Sequence, residues 1–509
     1  MIDPGPARVI MVQGTSSHAG KSVLATALCR IFAQDGFQVA PFKAQNMSLN
    51  SYVTPDGGEI GRSQAVQAAA AMVAPKVEMN PILLKPEDDT RSQVVMLGRP
   101  RPAASAREYQ EMKPAIWDLV TSALDCLRAE YDVVVIEGAG SPAEINLKEH
   151  DIVNMRVALH ADAPVLLVAD IDRGGVFAQL IGTMILLDPE ERALVKGHVI
   201  NKFRGDPALL TSGLDLLEER TGVPVAGVLP YFSDIHVPEE DSLGLLPEPR
   251  SDADAAVDIA IMRLPHIANF DDFDPLRHEP AVRVRYVGLA EEFGSPDLVI
   301  IPGSKATVAD LDWLRAQGLA ERIVAARREG VPVVGICAGF QMLGRELRDP
   351  TGVESPRPMA HGLGLLPTAT TFLEDKVTHQ VLGRVAADRG LLSGCQDAVI
   401  AGYEIHMGVL SQDGLPSPFV VETRSGRRAD VPDGALDDEG LTLGTYLHGL
   451  LHNRDVRQAV LTYLARRKGV TLPAPSEMVE PDAAYDKLAL LVREHLDMGL
   501  IYRVMELER

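Results

Sequence analysis

The chain has 509 residues, 46% of them hydrophobic and 24% charged, which excludes a disordered or fibrous protein and allows two or three domains, each with its own core. Its formal net charge of -22 repels polyanions, so nucleic acid and anionic membrane are excluded as main partners, and an acidic ligand would need a local basic pocket. Four cysteines, Cys29, Cys126, Cys337 and Cys395, stand far apart with no CxxC pair, so neither a disulfide frame nor a zinc site is expected and a reducing, cytoplasmic setting fits.

In the first 230 residues, short β-branched runs alternate with helical stretches, the pattern of a parallel sheet covered by helices. The first run, Val9 to Val12, enters a loop from Gly14 and Thr15 to Gly20, Lys21 and Ser22, followed by a helical stretch holding Cys29. Glycines let N–H groups turn inward around phosphate oxygens, the helix N-terminus adds positive potential, Lys21 reaches the phosphates and Ser22 can hold Mg²⁺. The loop is one residue longer than GxxxxGK[ST]; a Gly-rich turn without ligand is the competing interpretation, against which the strand, loop and helix context counts.

Next, Ala40 to Met47 follows a short strand and brings Lys43, Gln45 and Asn46 toward the same sheet edge. Val133 to Ile136 delivers Glu137 to the end of a buried strand, where open α/β sheets bind ligands, which makes it a candidate Mg²⁺ ligand or a helix cap. Val165 to Ala169 precedes Asp172 and Arg173. His198 to Ile200 precedes Asn201, whose amide offers a donor and an acceptor to an adenine edge. Turn polarity and capping remain the alternative for each of these strand-end groups. The apolar run Gly174 to Leu187 is too short and too Gly-interrupted to span a bilayer, and the Gly-rich loop begins too early to leave room for a signal peptide.

After Val225 to Leu229, the acidic, Pro-containing stretch Tyr231 to Ala255 marks a boundary between a domain over 1–230 and a second α/β domain over 256–470. Its strands are Ile259 to Met262, Leu298 to Ile301, Val333 to Ile336, Phe419 to Val421 and Leu443 to Tyr446. Val333 to Ile336 turns sharply at Cys337 into a helix, among small residues that expose a nucleophilic sulfur at a helix N-terminus. Acyl transfer also needs a base and oxyanion donors. His448, after the last strand, supplies the first; the loop at Gly303 and the N–H of Ala338 supply the second. Cys29 and Cys126 fall in predicted helices and Cys395 in a loop, without such a setting. Tyr485, Leu488, Leu490, Leu491, Val492 and Leu496 form a helical apolar pattern in the 471–509 tail, which is expected to pack on the second domain.

The segments QGTSSHAGKS, APFKAQNMSLNS, NPILLKP, EGAGSPAEINL, VADIDRGGVFA, INKFRGD, PGSKAT, GICAGFQMLG and YEIHMG carry a resemblance that covers the chain from about Val9 to His452. The first half resembles dethiobiotin-synthetase-like P-loop proteins and the second is similar to class I glutamine amidotransferases. Their fusion in this order resembles the cobyric acid synthases of cobalamin biosynthesis. The resemblance implies amidation of the b, d, e and g carboxylates of adenosylcobyrinic acid a,c-diamide, with ATP, Mg²⁺ and glutamine as ammonia donor.

It also implies roles. Gly14, Thr15, Gly20, Lys21, Ser22, Lys43 and Asn201 would bind ATP; Ser22 and Glu137 the metal; Gly303, Ala338 and Gln341 the oxyanion and glutamine. Gln45, Asn46, Lys85, Asp172 and Arg173 would meet the corrinoid, and Lys43, Arg62, Lys85, Arg91, Lys148 and Arg173 would balance its acids. Amidotransferases with a full triad carry an acid two residues after the histidine, where this chain has Leu450. A Cys337 and His448 dyad is therefore expected. The alternatives are a cobyrinic acid a,c-diamide synthase-like enzyme and an ATP-switched scaffold; the oligomeric state stays open, a homo-oligomer included.

Overall fold

The computed structural model describes residues 6–87, 90–233, 235, 255–412, 414–474 and 481–507; most of the expected linker lies outside them. The β-branched runs of the first domain are buried on both faces except in the edge strand Val225–Pro230, as a covered parallel sheet demands. They form six parallel strands in the order Val225–Pro230, Val195–Phe203, Val165–Asp170, Arg8–Gly14, Val133–Glu137 and Val39–Phe42. From Arg8–Gly14 the chain first runs to one side of the sheet and later to the other, so a crevice opens at the carboxyl end of that strand. The phosphate-loop helix Lys21–Gln34 begins there.

Between Val39–Phe42 and Val133–Glu137 lies an excursion that the sequence pattern does not announce. It holds a hairpin of Ser51–Val53 with Glu59–Gly61, the helix Arg62–Ala70, a four-stranded sheet and the helix Ala106–Glu130. The last helix starts at a capping box in which the Ser105 hydroxyl accepts the Glu108 N–H.

The second domain holds two large sheets and a two-stranded pair of Ile267–Ala268 with Gly303–Ser304. Val282–Val287, Val257–Met262, Leu298–Ile301, Val333–Ile336 and Thr442–Thr445 run parallel in that order, with Ala435–Leu436 antiparallel at the edge. A seven-stranded sheet is built on the long antiparallel pair Thr368–Val385 and Val399–Gln412; Phe419–Arg424 belongs to it rather than to the parallel sheet. The chain leaves the parallel sheet at Thr445 and joins the other at Leu447–His448, which pairs with Tyr403 and Glu404. His448 therefore sits where the two sheets meet.

The hairpin of the first domain docks on this second sheet. Thr378 Oγ1 donates to the Gly57 carbonyl at 2.8 Å, the Gln380 amide donates to the Val53 carbonyl, and Val53 packs with Tyr403 and Ile405.

The tail packs on the first domain, not the second as the sequence led us to expect. Tyr485, Leu488, Ala489, Val492 and Leu496 from the helix Pro481–His495 and its following turn share a core with Leu24, Leu28 and Phe32 of the phosphate-loop helix. Tyr502 meets Phe32 edge to face at 5.7 Å, and Arg30 pairs with Asp486 at 2.7 Å. An apolar stripe states that a helix has a buried face, but proximity in sequence does not say whose. Among the described residues no helix is long and apolar enough to cross a membrane. Because Leu488 is fully buried in the first domain, Leu488→Ala is expected to cost about 2–5 kcal/mol in urea denaturation and to weaken nucleotide binding in calorimetry.

Candidate active site

The loop from Gly14 to Gly20 wraps over the end of the central strand. Gly20 has φ 103, and a Cβ there would fall 1.9 Å from the Asn201 amide nitrogen, so neither the conformation nor the space admits a side chain. Asn201 donates to the Ala19 carbonyl at 3.0 Å and accepts the Lys202 N–H; it braces the phosphate loop instead of standing open at the sheet edge. Lys202 adds a bond to the His18 carbonyl and a 2.8 Å pair with Asp170. Thr15 Oγ1 donates to Gln179 at 3.0 Å, and the Lys21 ammonium folds onto the carbonyls of Ser16 and Gly140.

Glu137 is the hub of this site. Its carboxylate accepts from Ser22 Oγ at 2.7 Å, pairs with Lys43 Nζ at 3.0 Å and accepts from the Gln67 amide. Burial pushes its pKa up, but the Lys43 charge and the three hydrogen bonds overrule burial and hold the group below the ordinary range. A hydroxyl touching an ionised carboxylate at the mouth of a phosphate loop suits Mg²⁺, which takes one or two protein oxygens beside water and phosphate oxygens. Ser22 and Glu137 fit that group.

The residues expected to meet an acidic substrate fare differently. Gln45 accepts from the Tyr109 hydroxyl at 2.5 Å, and buried Asn46 donates to Gln64 at 3.2 Å. Asp172 pairs with Arg204 at 3.2 Å, and Arg173 is exposed on the turn after the strand Val165–Asp170. Of the cations expected to balance the substrate's acids, five already have partners within the protein. Lys43 is bound to Glu137, Arg62 to Asp271, Lys85 to Glu59 and Lys148 to Asp188 and Glu191, while Arg91 donates to the Ala103 carbonyl. In an acidic chain most cations find carboxylates of their own. Lys85 moreover lines a different cavity, that of Cys337.

Cys337 follows the strand Val333–Ile336 with φ 52 and ψ -109, a strained conformation that costs on the order of 1–3 kcal/mol. Its N–H is held by the Thr445 carbonyl at 2.8 Å. Gly339 permits the elbow, because a Cβ there would lie 1.9 Å from the Ile301 carbonyl oxygen. The Cys337 thiol lies 3.3 Å from the Ile405 carbonyl and interacts with the His448 ring. Gly303, Gln341, His448, Lys85 and Lys376 line the cavity with it. Ala338 is buried at the helix start, and Gln341 is fixed by the Met407 carbonyl at 2.9 Å and the Thr307 hydroxyl at 3.1 Å. Of the other cysteines, burial and the Glu137 charge push the Cys29 thiol far up, burial pushes Cys395 up to about 11, and Cys126 is exposed on a helix.

The expectation of an unsupported histidine is also corrected. Leu450 is buried and apolar, but His448 Nδ1 meets Asp272 Oδ2 at 2.7 Å, and Asp272 Oδ1 accepts the Gly449 N–H at 2.7 Å. Tyr403 stacks on the imidazole at 5.2 Å. The carboxylate comes from a short helical turn, Phe270–Phe273, 176 residues upstream. A motif that scans only the histidine's own strand cannot find it; the acidic run Asp271-Asp272 after Asn269 was the available signal. The segment YEIHMG supplies Ile405, His406 and Met407 to the cavity lining and Tyr403 to the imidazole.

Burial alone lowers the pKa of His448, but the charge and hydrogen bond of Asp272, with Cys337 beside it, hold the imidazole well above its ordinary value. A raised folded-state value stabilises the fold fully below about pH 6.5 and fades as pH rises through the raised value. Asp272→Asn is therefore expected to destabilise the chain more at about pH 6 than at about pH 9 in urea denaturation.

Both halves match family models: residues 10–244 the CobQ/CobB/MinD/ParA nucleotide binding domain, and residues 258–456 the CobB/CobQ-like glutamine amidotransferase domain. Over its whole length the chain is similar to curated cobyric acid synthases. That of Moorella thermoacetica is 52% identical over 510 residues, covering 99% of this chain and 98% of that one. That of Dehalococcoides mccartyi strain CBDB1 is 51% identical over 499 residues, covering 98% and 99%, and that of Sorangium cellulosum 50% identical over 517 residues, covering 99% of each.

Proposed function

The chain belongs to the cobyric acid synthase family, and from that premise we propose that it amidates the b, d, e and g carboxylates of adenosylcobyrinic acid a,c-diamide with ATP and glutamine. The observation that carries the two-site reading is the line Cys337, His448, Asp272 facing a cavity that a side chain of the nucleotide domain, Lys85, also lines. A nucleotide switch has no use for it.

In the first domain, the N–H groups of the loop and Lys21 hold the phosphates, and Asn201 and Lys202 keep the loop in shape. Lys43, already beside Glu137, faces charge that moves toward the transferred phosphoryl group. Magnesium held by Ser22 and Glu137 would neutralise phosphate charge. A corrinoid carboxylate oxygen attacks the γ-phosphorus and ADP leaves, so the carboxylate becomes an acyl phosphate; ammonia then displaces phosphate to form the amide.

In the second domain, Cys337 attacks the glutamine amide carbon while Asp272 holds His448 with Nε2 toward the cavity. The Ala338 and Gly303 N–H groups face the oxyanion, and Gln341 helps seat the glutamine. His448 returns its proton to the leaving ammonia, and water releases glutamate from the thioester. The orienting acid makes this a triad, which extends the dyad expected from sequence.

Cys337→Ala is expected to abolish glutamine-supported amidation and to retain amidation from ammonium salts, whereas Lys21→Ala loses both. Mass spectrometry of the corrinoid, incubated with ATP, Mg²⁺ and glutamine, checks each case: every acid converted lowers the mass by the difference between a hydroxyl and an amino group. An unchanged corrinoid from the parent chain would overturn the assignment, and equal losses from both ammonia sources in Cys337→Ala would overturn the division of labour.

A further inference from the structure

The turn that carries Asp272 is held from the other domain. Two buried carboxylates, Asp271 and Asp272, stand side by side, each needing a partner, because a buried unpaired carboxylate is strongly destabilising. Asp272 has His448; Asp271 has Arg62, the first residue of the helix Arg62–Ala70 in the nucleotide domain, at 2.9 Å, the carboxylate buried and the guanidinium half-buried. The backbone is held the same way. The Ser51 N–H donates to Asn269 Oδ1 at 2.9 Å, and the Phe270 N–H donates to Asn50 Oδ1 at 3.3 Å. Arg62 also lies over the ring of Tyr52, which meets Tyr403, the ring stacked on His448.

The far contact of the same helix is at the phosphate site, since Gln67, five residues after Arg62, donates to Glu137. A nine-residue helix therefore touches the candidate metal ligand through one side chain and the glutaminase turn through another.

We propose that Arg62 is a positioning residue of the glutaminase reaction, supplied across the domain boundary, which by pairing with Asp271 sets the turn so that Asp272 orients His448. This rests on the triad reading of Cys337, His448 and Asp272. Without the guanidinium, Asp271 is left as a buried charge beside another carboxylate, and the turn must shift or take up a proton. Either change loosens the imidazole, which lowers the rate of the chemical step while leaving the seat of glutamine around Gln341 in place.

The test is glutamate release by the full-length chain in the parent, Arg62→Ala and Arg62→Lys, beside amidation from ammonium salts. In Arg62→Ala, kcat for glutamine hydrolysis is expected to fall by about tenfold to a hundredfold with KM for glutamine within about twofold. Lysine is expected to recover part of the loss, and ammonia-supported amidation stays near the parent value. An unchanged kcat overturns the proposal, as does a loss shared equally with ammonia-supported amidation, which a merely structural role would produce. If Arg62→Ala does not fold, Asp271→Asn removes the same pair at nearly constant volume and carries the same expectations. A parent chain that releases no glutamate sinks the triad reading itself, whereas a parent and an Arg62→Ala variant that release it equally sink only the role of Arg62.

Discussion

Keeping charge inside the protein is the constraint on which the two sites depend. Glu137, Asp271 and Asp272 are all nearly inaccessible, and each is tolerated because a cation or a donor meets it at hydrogen-bond distance. These pairs are expensive as stability devices, since well-packed apolar residues would serve as well. They are worth retaining where the charge must be ready in a fixed place: at a phosphate loop, and behind a base. The same requirement explains why, in a chain with 49 basic residues against 71 acidic ones, Lys43, Arg62, Lys85 and Lys148 are each paired with a carboxylate.

The two domains reach similar geometry by the same route. Each puts its chemistry at the carboxyl ends of parallel strands, the phosphate loop after Arg8–Gly14 and the cysteine elbow after Val333–Ile336, where helix N-termini point and backbone N–H groups are unspent. The hairpin and helix between Ser51 and Ala70 lie between the sites, and the polar contacts along them set an angle as well as a distance between the domains.

Strand runs were legible because β-branched residues buried on two faces leave an unbroken pattern: Leu298–Ile301 and Val333–Ile336 match their predicted limits. Cys337, His448 and the phosphate loop could be singled out because each stands at the end of such a run, although the partners that surround them come from distant parts of the chain. The excursion after Phe42 was not, since its short strands carry turn residues as often as apolar ones. Asp272 was missed for a related reason: the contact that defines it spans 176 residues, and no local pattern encodes a partner that far away. The destination of the tail failed likewise, because Tyr485 and Leu488 declare a buried face without naming the surface that buries it.

That tail changes how the molecule is put together. With Arg8 and Glu506 joined at 2.7 Å, the beginning and end of the described chain lie side by side on the nucleotide domain, and the glutaminase domain is in effect an insertion within it. During synthesis the phosphate-loop helix must wait for the last residues before its outer face is covered, while the inserted domain is already complete. The domain that begins first is closed last, on a partner already built.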